Sequence, residues 1–279
     1  AIRLRSNPKT DVSLVHYNSI DNLRIAGWYC LPHERPAKKE LPAIIYMPGY
    51  ISEPSIPFEE TLEGYATFGV ITRGKLMSNS KYNPGFPGLL THNIEDINKY
   101  SLKGIYIDAI RAIDFLFSRK EIDRDRIGVT GGSQGGGLTI VAAALRPEIR
   151  AAVAAAPFPC GFEISVATAK TYPFEEIADY LRFFPDRKKM VIDNLRYFDV
   201  INFARYVQIP IMVHYGVQDN VCPVKAVVKA CDAIPSENKK IYSYDGYGHD
   251  AGKLKHTSII KKFFSYYLKN SNLSDGRLG

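Results

Sequence analysis

The chain has 279 residues, a length at which a large α/β fold still forms one domain, and its 46% apolar and 23% charged content fits a protein with a real core. No apolar run reaches roughly 18 residues, so no membrane-spanning helix is expected. The net charge of +7 comes from scattered basic residues, the densest runs being Lys38-Lys39, Arg187-Lys188-Lys189, Lys239-Lys240 and Lys261-Lys262. That pattern reads as a solvated surface and not as a nucleic-acid groove.

Taken in chain order, the first element is a strand over 23–31, LRIAGWYCL, after a turn at Ser19–Asn22. PAIIYM at 42–47 is a short continuous apolar run ending in Pro48-Gly49, the signature of a strand buried on both faces of a parallel sheet. A strand over 65–72 ends at Arg73-Gly74. IYIDAIRAIDFLF at 105–117 has apolar residues spaced i, i+3, i+4 and i+7, which predicts an amphipathic helix. A strand over 127–130, a small-residue helix over 135–145 that stops before Pro147, and a strand over 151–156 follow. Region 160–206 breaks this rhythm. It is helical in pattern and aromatic-rich, and reads as a helical cap inserted into a single domain spanning 1–279. Strands over 209–215 and 240–244 and an amphipathic helix over 253–268 complete the chain. The alternation predicts an α/β fold with a mostly parallel sheet and helices on both faces.

The four cysteines, Cys30, Cys160, Cys222 and Cys231, show neither CxxC nor zinc-like spacing. They read as buried free thiols, which points to a reducing, cytoplasmic compartment. The chain begins at Ala1 and shows no signal peptide.

Residues 127–137 read IGVTGGSQGGG. The spacing excludes the GxGxxG and GxxxxGK[ST] phosphate loops. It contains G-x-S-x-G directly after a strand and before a helix, the context of a nucleophile elbow. Such a turn is strained, so its neighbours must be small for strand and helix to come close. An elbow also requires an acid and then a histidine downstream, each in a loop after a later strand. GVQDNVCP follows the strand at 209–215 and supplies Asp219. DGYGHDAG follows the strand at 240–244 and supplies His249. Ser133 is thus the candidate nucleophile, His249 the general base and then acid, and Asp219 the carboxylate that orients the imidazole. The backbone N–H of Gln134, at the new helix's N-terminus, is one oxyanion donor. The second comes from the loop after PAIIYM, with Tyr50 preferred over Ile51. His256, on a helical segment, and His214, inside a strand, are the rival histidines. Asp245 and Asp250 are the rival acids and read as solvated loop charges.

These residues carry a resemblance. GGSQGGG at 131–137, YFDVINF at 197–203, GVQDNVCP at 216–223, YIDAIRA at 106–112 and PGLLTH at 87–92 occur in the order found in the acetyl xylan esterase and cephalosporin C deacetylase family of α/β-hydrolases. Together they span about residues 42 to 268. The resemblance implies an α/β-hydrolase fold with a small helical cap, the triad Ser133, Asp219 and His249, and an oxyanion hole of the Tyr50 and Gln134 N–H groups. It also implies removal of acetyl groups from sugars and small esters, no metal or other cofactor, and assembly into homo-oligomeric rings. Two motifs depart from it: Arg-Gly-Gln is Arg73-Gly74-Lys75 here, and His-Glu is His249-Asp250. The expected activity is that of a serine esterase on short-chain, mainly acetyl, esters, with acetylated oligosaccharides among the substrates and neither nucleic acid nor membrane as partner. The alternative is a broader carboxylesterase, thioesterase or peptidase on the same scaffold, with the aromatic residues of 158–184 holding a larger group. An intact Ser–Asp–His order argues against a non-enzymatic binding protein.

Overall fold

The computed structural model describes residues 2–3, 8–35, 40–51, 55–78 and 80–270, with backbone alone at 2–3 and 253–254. Lys38-Lys39 lies outside the described residues. Strands β1 (Ile2–Arg3), β2 (Thr10–Asn18), β3 (Arg24–Pro32), β4 (Leu41–Met47), β5 (Ala66–Ile71), β6 (Ile122–Gly132), β7 (Ala151–Ala155), β8 (Ile211–Gly216) and β9 (Lys239–Tyr244) form one sheet, ordered β1-β2-β3-β5-β4-β6-β7-β8-β9. From β5 to β9 every neighbouring pair is parallel, while β1, β2 and β3 extend the β5 edge antiparallel. Helices α1 (Ser101–Phe117), α2 (Gln134–Leu145), α7 (Val224–Ala233) and α8 (Lys253–Lys269) pack on this sheet. Between β7 and β8 the chain forms α3 (Phe162–Thr168), α4 (Phe174–Phe183), α5 (Lys188–Arg196) and α6 (Val200–Ala204).

The period of two along each strand divides the core. Ala43, Ile45, Met47, Val129, Ala152, Ala154, Ile211 and Val213 face one side, with Ile105 of α1, Leu138 of α2 and Val227 of α7. Ile44, Ala151, Val153 and Met212 face the other, where α8 brings Phe263, Phe264, Tyr267 and Leu268. Strands buried on both faces read as the continuous apolar runs seen in the sequence. The fold is that of an α/β-hydrolase.

Several elements run longer than their patterns suggest. α1 begins four residues before Ile105, because Ser101, Leu102 and Gly104 are also buried. β6 begins at Ile122, five residues before Ile127; Ile122 is buried and pairs with Leu41 of β4, and the polar residues 123–126 hide the continuity in the sequence. β2 and α7 add to the elements expected from the sequence. β2 is an antiparallel outer strand whose burial alternates imperfectly, and it pairs along its whole length with β3.

One buried ion pair ties α1 to the end of β5. Asp108, fully buried, accepts from the Arg73 backbone N–H at 2.9 Å, from Nε at 3.0 Å and from Nη2 at 3.0 Å. Arg73 also reaches Asp21 at 2.7 Å. Gly104 makes the approach of the guanidinium possible, since a Cβ there would lie 2.1 Å from Nη1. Removing Asp108 leaves the buried guanidinium with the exposed Asp21 as charged partner and without its buried one. Asp108→Ala is therefore expected to cost about 3–5 kcal/mol of stability in urea unfolding, and a loss below 1 kcal/mol would contradict this account.

Candidate active site

The C-terminal ends of the parallel strands lie side by side, as the pairs Met47 with Gly131, Gly132 with Ala155, His214 with Ala155, and Gly216 with Tyr244 show. The loops that follow β4, β6, β8 and β9 hold Tyr50, Ser133, Asp219 and His249. Ligands of open α/β sheets bind at this edge.

Ser133 is the one residue between β6 and α2 and has φ 57° and ψ −122°. Its N–H donates to the Ala155 carbonyl at 2.9 Å, and its own carbonyl accepts from Gly137 at 3.0 Å and Phe158 at 2.9 Å. Close backbone approach requires glycine on both sides of the turn. A Cβ on Gly131 would lie 2.6 Å from the Gly135 carbonyl, and one on Gly135 would lie 2.2 Å from the Met47 oxygen. Gly132 differs from expectation. A Cβ there would meet only Ala155 Cβ at 3.8 Å, so sterics do not demand a glycine.

The Asp219 side chain is 1% exposed. Its Oδ1 accepts from the N–H groups of Val221 at 2.8 Å and Cys222 at 2.9 Å, while Oδ2 meets His249 Nδ1 at 2.9 Å. A carboxylate partner fixes the proton of neutral imidazole on Nδ1 and leaves the Nε2 lone pair free. Three hydrogen bonds of Gln218 hold the loops bearing these residues together. Gln218 N–H donates to the Tyr247 carbonyl at 2.9 Å, and the Gln218 amide bonds Asp245 at 2.7 Å and the Gly246 N–H at 2.7 Å. Gly216 lets them approach, since a Cβ there would lie 2.1 Å from the Gly248 oxygen.

Ser133 and His249 line one cavity of about 300 Å³. Tyr50, Ile51, Phe86, Tyr172 and Val221 line it with them. The Tyr50 and Phe86 rings stand edge to face at 4.9 Å. Among the described residues neither the Tyr50 nor the Gln134 N–H meets a backbone acceptor. The Gln134 side chain is fully buried, and neither amide atom finds a partner among the described residues. Tyr50 is held from two directions. Its hydroxyl donates to Glu176 of α4, whose other oxygen accepts from Leu90 and Thr91, and its carbonyl accepts from Lys75 Nζ. A larger cleft of about 1130 Å³ lies among α3, α4 and α5, away from Ser133 and His249, and holds no serine, histidine or cysteine.

The rival histidines are elsewhere. His256 is fully buried behind the sheet, where Nδ1 meets the Tyr244 hydroxyl at 2.5 Å and the ring stacks on His214 at 3.9 Å. Its helical pattern suggested a surface or partly packed position. Burial lowers its pKa to about 4. His214 donates from Nδ1 to the Ala251 carbonyl at 2.8 Å. Asp245 is exposed and serves Gln218, and Asp250 is exposed. Of the cap aromatics, Phe158, Phe162 and Phe174 are core, Tyr172 lines the cavity, and Phe183 is 82% exposed.

Asp219, Cys222 and His249 bring three potential ligand atoms within 4.8 Å. Both Asp219 oxygens already accept hydrogen bonds, and burial pushes the Cys222 thiol well above its usual range, which keeps it protonated. The group fits a carboxylate–imidazole pair packed on a thiol better than a metal site.

The acetyl xylan esterase (AXE1) family model matches residues 6–267. The chain belongs to this family. An acetyl xylan esterase from Paenibacillus sp. R4 is 31% identical and superposes with a TM-score of 0.87 over 95% of this chain and 87% of that one. An acetyl xylan esterase from Thermoanaerobacterium is 24% identical with a TM-score of 0.81, a likeness of fold. The acetyl esterase Axe7A of Xylanibacter ruminicola is 36% identical over 138 residues, which is 49% of this chain and 30% of that protein. The chain thus spans under a third of that curated relative's length. Among the described residues no helix is long and apolar enough to cross a membrane.

In this family member the close loop approach at Gly216 makes a direct prediction. Gly216→Ala should lower stability by about 1–3 kcal/mol in urea unfolding, because backbone carbonyls must yield to the new methyl. A change within 0.3 kcal/mol would show that the loops are not so tightly apposed.

Proposed function

We propose that this chain is a serine esterase that removes acetyl groups from acetylated sugars or related small esters through an acyl-enzyme. The observation that carries the proposal is the cavity shared by Ser133 and His249, with Asp219 bonded to the far side of the imidazole at 2.9 Å. In this reading His249 Nε2 takes the Ser133 hydroxyl proton as Oγ attacks the ester carbonyl. The carbonyl π electrons move onto oxygen, and the Tyr50 and Gln134 N–H groups receive that oxyanion. When the oxyanion collapses, the C–O bond to the alcohol breaks and His249 returns the proton to the departing oxygen. Water then attacks the acetyl carbonyl as His249 takes its proton; the bond from that carbon to Ser133 Oγ breaks, His249 returns the proton to Oγ, and the acid leaves. Asp219 holds the ring and stabilises the imidazolium throughout.

Family membership supports acetyl ester cleavage, and a cavity of about 300 Å³ walled by Tyr50 and Phe86 suits a short acyl group. The insertion forms a cap in this reading, since Tyr172 reaches the cavity from the loop before α4. The proposal includes a small-molecule ester substrate and homo-oligomeric assembly, which light scattering of purified protein measures.

Ser133→Ala is expected to lower p-nitrophenyl acetate turnover by roughly 10³-fold or more. A variant retaining near-wild-type activity would remove Ser133 from the mechanism. Across aryl esters of increasing acyl length, kcat/KM should be highest for acetyl and fall by roughly tenfold or more at octanoyl. Equal rates would favour the broader carboxylesterase.

A further inference from the structure

Lys75 is 8% exposed, and its Nζ donates to the Tyr50 carbonyl. Among the described residues it has no carboxylate partner. A buried ammonium without a counter-ion is costly, and an apolar side chain of similar volume would fill the site without that cost. Folds keep such groups where they act on a site. The stem of Lys75 is itself anchored. Arg73, two residues earlier, is locked to Asp108, and Gly74 turns the chain at φ 80°. The carbonyl that Lys75 holds belongs to Tyr50, which lines the cavity together with Ser133, and the hydroxyl of the same residue is fixed on Glu176.

We propose that Lys75 is a positioning residue for ester hydrolysis: its ammonium pins the Tyr50 carbonyl, so fixing the Tyr50–Ile51 peptide next to the Tyr50 N–H, and adds positive potential where the oxyanion forms. This rests on the Ser133–His249–Asp219 reading above. A positive charge near a developing oxyanion in a poorly hydrated site stabilises the transition state more than the ground state.

Burial lowers the Lys75 ammonium to about 8. The charge is present below that pH and lost as pH rises through it, so the stabilisation declines on the alkaline side. The groups around it do not share that range. Burial, with Glu176, pushes the Tyr50 phenol far up; burial raises Tyr100 and Tyr82 as well. Arg73 is paired with Asp108 and Asp21, and Glu176 accepts from Tyr50, Leu90 and Thr91.

The test compares kcat and KM for p-nitrophenyl acetate against pH in wild type, Lys75→Met and Lys75→Gln, with Ser133→Ala as the blank. Lys75→Met should lose roughly tenfold or more in kcat at neutral pH with KM within about threefold, and should lack the alkaline decline near pH 8. Lys75→Gln keeps an N–H donor without the charge. It should recover part of kcat and also lack the decline, which a merely structural lysine would not produce. Thermal unfolding of both variants reports whether they fold, and Lys75→Gln serves if Lys75→Met does not. NMR titration of the wild-type lysine side chains, assigned with Lys75→Gln, should show one midpoint near 8. A midpoint near the ordinary 10.5, or an unchanged kcat or alkaline decline in the variants beside an inactive Ser133→Ala, would overturn this proposal alone. An active Ser133→Ala would overturn the esterase reading and this proposal with it.

Discussion

Ser133 holds a backbone conformation, φ 57° and ψ −122°, that a serine keeps only when its surroundings impose it. Such strain costs of order 1–3 kcal/mol. Hydrogen bonds from both sides of the peptide hold it, through Ala155 at the end of β7 and through Gly137 and Phe158 beyond the turn. β6 and α2 approach so closely here that Gly131 and Gly135 admit no side chain. The result is a hydroxyl raised above the sheet edge with a helix N-terminus directly behind it, where partial positive charge gathers.

The rest of the site follows from that edge. Parallel strands in register end together, so loops far apart in sequence become neighbours. Topology alone brings Tyr50, Asp219 and His249 near Ser133. Fine placement is left to polar contacts, each with its partner specified. Asp219 is fixed by two backbone N–H groups before it meets His249, and Gln218 stitches the Asp219 loop to the His249 loop. Tyr50 is fixed by Glu176 and Lys75. The site is thus preorganised by groups that need not touch a substrate.

What could be read from sequence was whatever obeys a local or ordered rule. The inner parallel strands showed as apolar runs because both of their faces are covered. The elbow showed as a fixed spacing between strand and helix. Asp219 and His249 showed because an elbow demands its partners in strand-end loops and in that order. β2 did not show, because an outer strand with imperfect alternation leaves a weak period. Glu176 left no trace, since its bond to Tyr50 joins residues 126 apart in the chain. Lys75 showed only as an unexpected residue after Arg73-Gly74, and its burial was invisible. Gly132 fits the rule that the turn's neighbours are small, yet space there does not require a glycine.

The central claim is that Ser133 is a nucleophile activated by the His249–Asp219 pair in the native fold. Labelling the folded protein with a fluorophosphonate, followed by peptide mass mapping, tests it most directly. The account predicts a single modified site at Ser133 in wild type, with labelling slowed by roughly 10³-fold or more in His249→Ala. Modification elsewhere, or equal labelling without His249, would contradict it.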